Sequence, residues 1–281
     1  MNIKGSDNGD FIWGSEYNDT IDGGKNNDWI NAGGGDDLIR AGPGHDRILP
    51  GPGHDIVWAG PGSDAVHAGD DDDLVYSDAL PLSNPFEERR VIPHSGESDD
   101  RLHGDNGRDT LVAGDGLDEM TGGKDGDAFV FRFHDPMVGT THCYTTVKDF
   151  EPEHDRFVLG AARDKGEGGL FGANFVNHSR GFPGEAVDTF YNGAAADAHG
   201  EHVVVITDRG FASGAAAAKA IDHEAAGDII VYHDEKTHGA TLAYVDSANH
   251  AHAFAHAFAD ANNLKEVLDL TSLTASNFVF F

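Results

Sequence analysis

Gly23-Gly24-Lys25-Asn26-Asn27-Asp28-Trp29-Ile30-Asn31 is the stretch that decides the fold. It opens on two glycines, sets an aspartate sixth and an isoleucine eighth, and the pattern returns nine residues away on either side. Units begin at residues 5, 14, 23, 32, 41, 50, 59 and 68 and, after a break, at 95, 104, 113 and 122. The sixth place is always aspartate: Asp10, Asp19, Asp28, Asp37, Asp46, Asp55, Asp64, Asp73, Asp100, Asp109, Asp118 and Asp127. The eighth is always apolar: Ile12, Ile21, Ile30, Ile39, Ile48, Val57, Val66, Val75, Leu102, Leu111, Met120 and Phe129. A short fixed period of this kind marks a stack of repeats rather than a globular core.

Each unit reads as six residues of turn followed by three of strand, with the middle strand residue pointing inward. Glycine at the turn positions admits positive φ and lets backbones approach closely, so that carbonyl oxygens converge. Carboxylates and carbonyls brought together in this way suit a hard cation such as Ca²⁺, which takes six to eight oxygen ligands. The candidate ligands are the twelve aspartates with the carbonyls of Gly23, Gly33, Gly35, Gly42, Gly44, Gly51, Gly53, Gly60, Gly62, Gly104, Gly107, Gly114 and Gly116.

Gly14 to Asp22, Gly23 to Asn31 and Gly104 to Val112 resemble the repeats-in-toxin (RTX) nonapeptide G-G-x-G-x-D-x-U-x. The resemblance covers residues 5 to 130 and implies a mostly β protein. Its first part is then a right-handed parallel β-roll of twelve nonapeptides, two to a coil, with Ca²⁺ between stacked turns. Pro43, Pro52 and Pro61 at the third place, and Asp70 to Asp73, depart from the motif and leave calcium occupancy there open. Val147 to Phe150 and Asp155 to Leu159 are similar to the segment that closes such rolls. Leu273 to Phe281, an apolar run after Asn277, resembles the uncleaved C-terminal signal of type I secretion. The expected partners are thus Ca²⁺ and the type I machinery, and the expected location is extracellular.

Bulk composition agrees. Against 19 basic residues stand 49 acidic ones, a formal charge of −30, which a compact state tolerates only with cations present. So acidic a chain is a poor nucleic-acid ligand. Cys143 is the single cysteine, which excludes an internal disulfide and a cysteine metal cluster. No run approaches a membrane span, and Met1 to Asp10 lack the apolar core of an N-terminal signal.

The expected organisation is the roll over 1–130, with an inserted loop at 77–94, and a small α+β or β-rich capping module over 131–281. Val203 to Thr207, Ile229 to His233 and Leu242 to Val245 read as strands, and Ala212 to Ala226 and Ala251 to Asn262 as helices. On the latter, His252, His256 and Asp260 would share one face able to hold a transition metal, or merely form one side of an amphipathic helix.

No zinc-protease or serine-hydrolase signature is present: His223-Glu224 is not followed by a second histidine, and no Gly-x-Ser-x-Gly occurs. A roll beginning at Gly5 is expected to leave no room for such a domain upstream. The break at 77–94 spans two nonapeptides, so the phase survives: it is either one degenerate coil or a loop between two coils that stack directly, and its prolines favour the loop. If it does, positions seven and nine of alternate units line up on one outer face as Arg47, then Ala65 and His67, then Arg101 and His103. On the other face, Arg40, Trp58 and Tyr76 share a row beside Leu38, Ile56 and Leu74. That row is either covered or open as an aromatic platform for sugars.

The cations of the first face either balance nearby carboxylates or bind an acidic polysaccharide. Arginine suits a uronate carboxylate. In the second case a lyase acting by β-elimination is conceivable, with His67, Tyr76, His94 and His103 as candidate bases and Arg89, Arg90 and Arg101 as candidate carboxylate ligands. A structural or adhesive surface protein is the remaining alternative.

Overall fold

The computed structural model describes residues 1–77, 99–114, 116–132, 145–160, 189–223, 227–247, 250–257 and 268–280. The chain divides into two compact units, Met1–Ala128 and Phe129–Phe281.

In the first unit the nonapeptides alternate between two parallel sheets. One runs through Asn2–Lys4, Thr20–Asp22, Leu38–Arg40, Ile56–Trp58, Leu74–Tyr76 and Thr110–Ala113. The other runs through Phe11–Ser15, Trp29–Gly33, Arg47–Leu49, Ala65–Asp70, Arg101–Asn106 and Glu119–Lys124. Successive strands pair in register, so the eighth residues stack as Ile3, Ile21, Ile39, Val57, Val75 and Leu111 in one sheet. In the other they stack as Ile12, Ile30, Ile48, Val66, Leu102 and Met120. From Ile21 to Met120 the repeat's eighth residues are fully buried. About one large apolar side chain per nine residues is a thin core, flanked by the buried Ala32, Ala41, Ala59 and Ala68.

The turns depend on positive φ at places two and four of the unit. Gly24 (φ 115°) and Gly35 (φ 100°) are examples, and Asn26, Asp71 and Asp125 take place four where glycine is missing. A Cβ at Gly24 would collide with the Ser6 carbonyl of the coil beneath. Proline fits at place three because its carbonyl, not its nitrogen, is used: Pro43, Pro52 and Pro61 accept from the N–H groups of Asn26, Gly35 and Gly44 at 2.8, 2.9 and 3.0 Å.

The register steps by 18 residues throughout, except once. Ala65 pairs with Arg101 and Leu74 with Thr110, a step of 36. The strands before and after the 77–94 segment are therefore direct neighbours, with no strand between them.

The second unit is built differently. Phe190–Gly193, Val203–Phe211 and Ile229–Asp234 pair in parallel, followed by antiparallel Ala240–Ser247 and His250–Ala257, with Thr145–Val147 parallel to the last. Arg156–Gly160 separately pairs with Phe278–Phe280. Val204, Ile206, Ile230, Tyr232 and Val245 form a core with Ala217, Ala218 and Ile221. Phe150 stacks on Phe157 at 4.0 Å, and Phe157 meets Phe278 at 5.6 Å.

The three anticipated strands are present and longer. The anticipated helices are corrected. Among the described residues 212–223 only Gly214–Ala218 is helical, started by the Ser213 hydroxyl accepting the Ala216 N–H at 3.2 Å and followed by a turn with His223 at φ 68°, and 224–226 lie outside the described residues. Residues 250–257 are a strand, not the start of a helix. The sequence Ala-His-Ala-Phe-Ala-His-Ala satisfies a period of two as well as an i, i+4 spacing. Partners on both sides decide for the strand, and small Ala251, Ala255 and Ala257 are buried there. The His252, His256 and Asp260 helical face consequently does not exist. His256 instead has its Nδ1 2.8 Å from the Thr241 hydroxyl, and Asp260 lies outside the described residues.

Candidate functional site

The sixth-place aspartates form two continuous ladders. Each Oδ1 accepts the backbone N–H of the aspartate one coil earlier, from Asp10 to Asp28 through Asp109 to Asp127, at 2.7–3.1 Å. The seam at the insert is no exception: the Asp64 N–H reaches Asp100 at 2.7 Å and the Asp73 N–H reaches Asp109 at 2.9 Å. This explains why place six tolerates nothing else, since the side chain must be short, must accept, and must keep a second oxygen.

That second oxygen is the informative atom. The Oδ2 atoms of Asp28, Asp37, Asp46, Asp55, Asp73 and Asp109 are buried with no protein donor. Buried carboxylate oxygens without a donor are costly unless a cation meets them. Burial pushes these groups up from the ordinary carboxylate value: Asp37, Asp46 and Asp109 to about 6, Asp55 to about 7 and Asp73 to about 8. Acidic neighbours such as Asp55 beside Asp73 add to the rise. A divalent ion would reverse it. The donor set of hard oxygens, with glycine turns that leave no room for a Cβ, fits Ca²⁺.

The ladder is uneven in a way the motif does not reveal. At Asp10 and Asp19 the second oxygen is taken by the N–H and hydroxyl of Ser6 and Ser15, at 2.6–2.9 Å. At Asp118 it accepts the Gly114 N–H at 3.1 Å. Serine at place two, Ser6 and Ser15, was the available signal.

Residues 4–39, 13–48, 22–57, 49–79 and 94–128 match the RTX calcium-binding nonapeptide repeat. Nodulation protein O from Rhizobium leguminosarum bv. viciae is 70% identical over 198 residues, which is 68% of this chain and 68% of that protein. The chain belongs to the RTX calcium-binding family. It is a secreted protein that binds several Ca²⁺ ions. Among the described residues, no helix is long and apolar enough to cross a membrane.

The outer faces of this RTX roll are now placed. His67 and His103 pair across adjacent strands, and their rings stack at 4.4 Å and 6°. His67 Nδ1 is 3.6 Å from Asp105, and exposed Arg101 has its Nε 3.4 Å from Glu119. Arg47 lies two strands from Arg101 in the same row. Tyr76 belongs to the other sheet and does not join them. It stacks on Trp58 at 5.9 Å, and the Arg40 guanidinium lies 4.7 Å over the Trp58 ring. Trp58 is only 7% exposed, so this row is not an open platform. Arg89, Arg90 and His94 lie outside the described residues.

The open aromatic rings are elsewhere, and sequence reasoning passed over them. Phe11, Trp13 and Trp29 hold places seven and nine of the first units on the His67 and His103 sheet, with Phe11 73% and Trp13 60% exposed. Reading the same two places along every unit was the signal.

Proposed function

We propose that the calcium-loaded roll binds acidic extracellular polysaccharide through the outer face carrying Arg47, His67, Arg101 and His103. Calcium would be held by the sixth-place aspartates together with the glycine-turn carbonyls, and least at Asp10, Asp19 and Asp118, whose second oxygen already accepts a protein hydrogen bond. The carrying observation is the in-register row across the 36-residue seam, which sets two histidines and an arginine on adjacent rungs of a rigid sheet. Arginine takes a carboxylate in a planar fork, and a preorganised row suits an extended polymer. Arg101→Ala with His103→Ala should leave calcium binding and melting unchanged, because both side chains point away from the core, and should abolish retention on polygalacturonate or alginate. Unchanged retention would sink the reading.

A second reading is β-elimination at the same face. It is favoured by the stacked histidine pair beside Arg101, which offers a base next to a cation that would neutralise the uronate. Appearance of the unsaturated product's absorbance with polygalacturonate, lost in the double variant, tests it.

The run Leu273 to Phe281 would act as the type I export signal. Attaching residues 273–281 to a cytoplasmic reporter and finding it exported checks this. Retention of the reporter moves the signal elsewhere.

A further inference from the structure

We propose that Phe11, Trp13 and Trp29 form a stacking subsite for the uncharged faces of sugar rings in the same polysaccharide chain whose carboxylates reach Arg47, Arg101, His67 and His103. This rests on the glycan reading of that face. The three rings cluster on the outer surface of one sheet. Phe11 lies 6.2 Å from Trp13 at 18°, Trp13 lies 5.1 Å from Trp29, and Phe11 lies 6.2 Å from Trp29. They do nothing for the core, since Ile12 and Ile30 fill it from the same strands. Exposed clusters of large aromatics mark interaction sites.

The neighbourhood selects the ligand. Pairing carries the row from Phe11 through Trp29 to Arg47 and on to Ala65, Arg101 and Glu119. The parallel row begins Trp13, Asn31 and Leu49, and the following strands carry His67, His103 and Thr121. Along these rows the single acid is Glu119, which is paired with Arg101, and Asp105 on the same strand as Arg101 faces His67 at 3.6 Å. On a chain of net charge −30, this is a near-neutral strip that carries two arginines. From the strand of Trp13 to that of His103 there are four strand spacings, about 19 Å, the reach of several linked sugars. A pyranose has an apolar C–H face, which meets the negative face of an aromatic ring, and hydroxyl edges, which Asn31 beside the rings can bond. The row of polar and cationic side chains running on from the rings over four strands suits an extended polymer.

The test compares calcium-loaded wild type with Trp13→Ala/Trp29→Ala and with Arg101→Ala/His103→Ala, each verified by circular dichroism. Oligogalacturonates of increasing length are titrated by calorimetry for all three proteins, and tryptophan fluorescence is followed separately in a Trp58→Phe protein that keeps Trp13 and Trp29. Wild type should gain affinity with length and show a change in Trp13 and Trp29 emission. The tryptophan variant should keep short-oligomer binding and lose about tenfold on the polymer, whereas the Arg101/His103 variant should lose short-oligomer binding. Wild-type polymer affinity in the tryptophan variant overturns the subsite. If wild type binds no acidic glycan, the Arg/His reading falls. Quenching of Trp13 and Trp29 by cellohexaose then sustains a neutral-sugar platform, and its absence overturns that as well. Binding to phosphatidylcholine vesicles that disappears in the tryptophan variant, with no glycan response, assigns the rings to lipid and overturns the proposal.

Discussion

The two units solve the same problem with opposite means. In residues 1–128 one aliphatic side chain per nonapeptide is buried, and most polar atoms of the turns are tied to the coil above or below. In residues 129–281 a conventional core gathers Val204, Ile206, Ile230, Tyr232 and Val245 around a short helix. The second unit's strands are stabilised by apolar burial, which no solute controls. The roll carries buried carboxylate oxygens that oppose folding while they are ionised and met by no cation. The difference teaches that one chain can hold an unconditional fold and a conditional one, with a solute deciding the second.

Calcium removal should separate the two most sharply. With excess chelator, hydrogen exchange should reveal a loss of protection of about a hundredfold or more over the strands within 2–76 and 101–113 and over 119–124, while 203–211, 229–234 and 240–247 stay protected. Equal loss in both units would break the comparison.

Acid should produce a smaller effect with a sign that depends on calcium. A carboxyl whose folded pKa lies above its unfolded value favours folding when protonated. Its contribution is complete below about pH 4 and is lost as the pH rises through the folded values. Those values are about 6 for Asp37, Asp46 and Asp109, about 7 for Asp55 and about 8 for Asp73. Lowering calcium-free protein from about pH 8 to about pH 5 should therefore raise the roll's melting temperature. With saturating calcium the same step should lower it, because protons compete for the ligand oxygens. A calcium-free roll that is less stable at the lower pH would contradict this account of the ladder.

The smallest expected effect comes from one rung. Asp55→Asn keeps an oxygen for the Asp37 N–H, at 2.7 Å in the wild type, and removes one charge. With calcium the roll should lose about 1.5–3 kcal/mol, the scale of an interaction with one charged group. Without calcium it should melt higher than wild type. Thermal scans in both conditions check the crossing.

The roll was legible because its constraints are local and repeated. Asp28 and Ile30 state the ladder and the core within one unit, and twelve repetitions fix the register that brings His67 to His103. At the seam, counting residues gave the preserved phase but left a degenerate coil and a loop both open, and the 36-residue step in pairing decides between them. The second unit was less legible, since each of its elements is written once. Ala251 to Ala257 carries a pattern that suits helix and strand alike, and only the partners at 145–147 and 240–247 break the tie. Within the site, the aspartates were visible and their inequality was not. Ser6 and Ser15 close the second oxygen of Asp10 and Asp19 through contacts that depend on turn geometry rather than on residue type alone.

The 36-residue step has a consequence for tolerance to change. Across the seam the Asp64 and Asp73 rungs are as short as their neighbours, so the stack registers no interruption where chain leaves and returns. Inserted sequence at such a joint is charged only the entropy of closing a loop, which grows by about 0.6 kcal/mol for each doubling of length. The joint between residues 77 and 99 is thus a natural grafting port, where a foreign peptide or small domain could be spliced in and displayed from the side of the scaffold without altering its pitch.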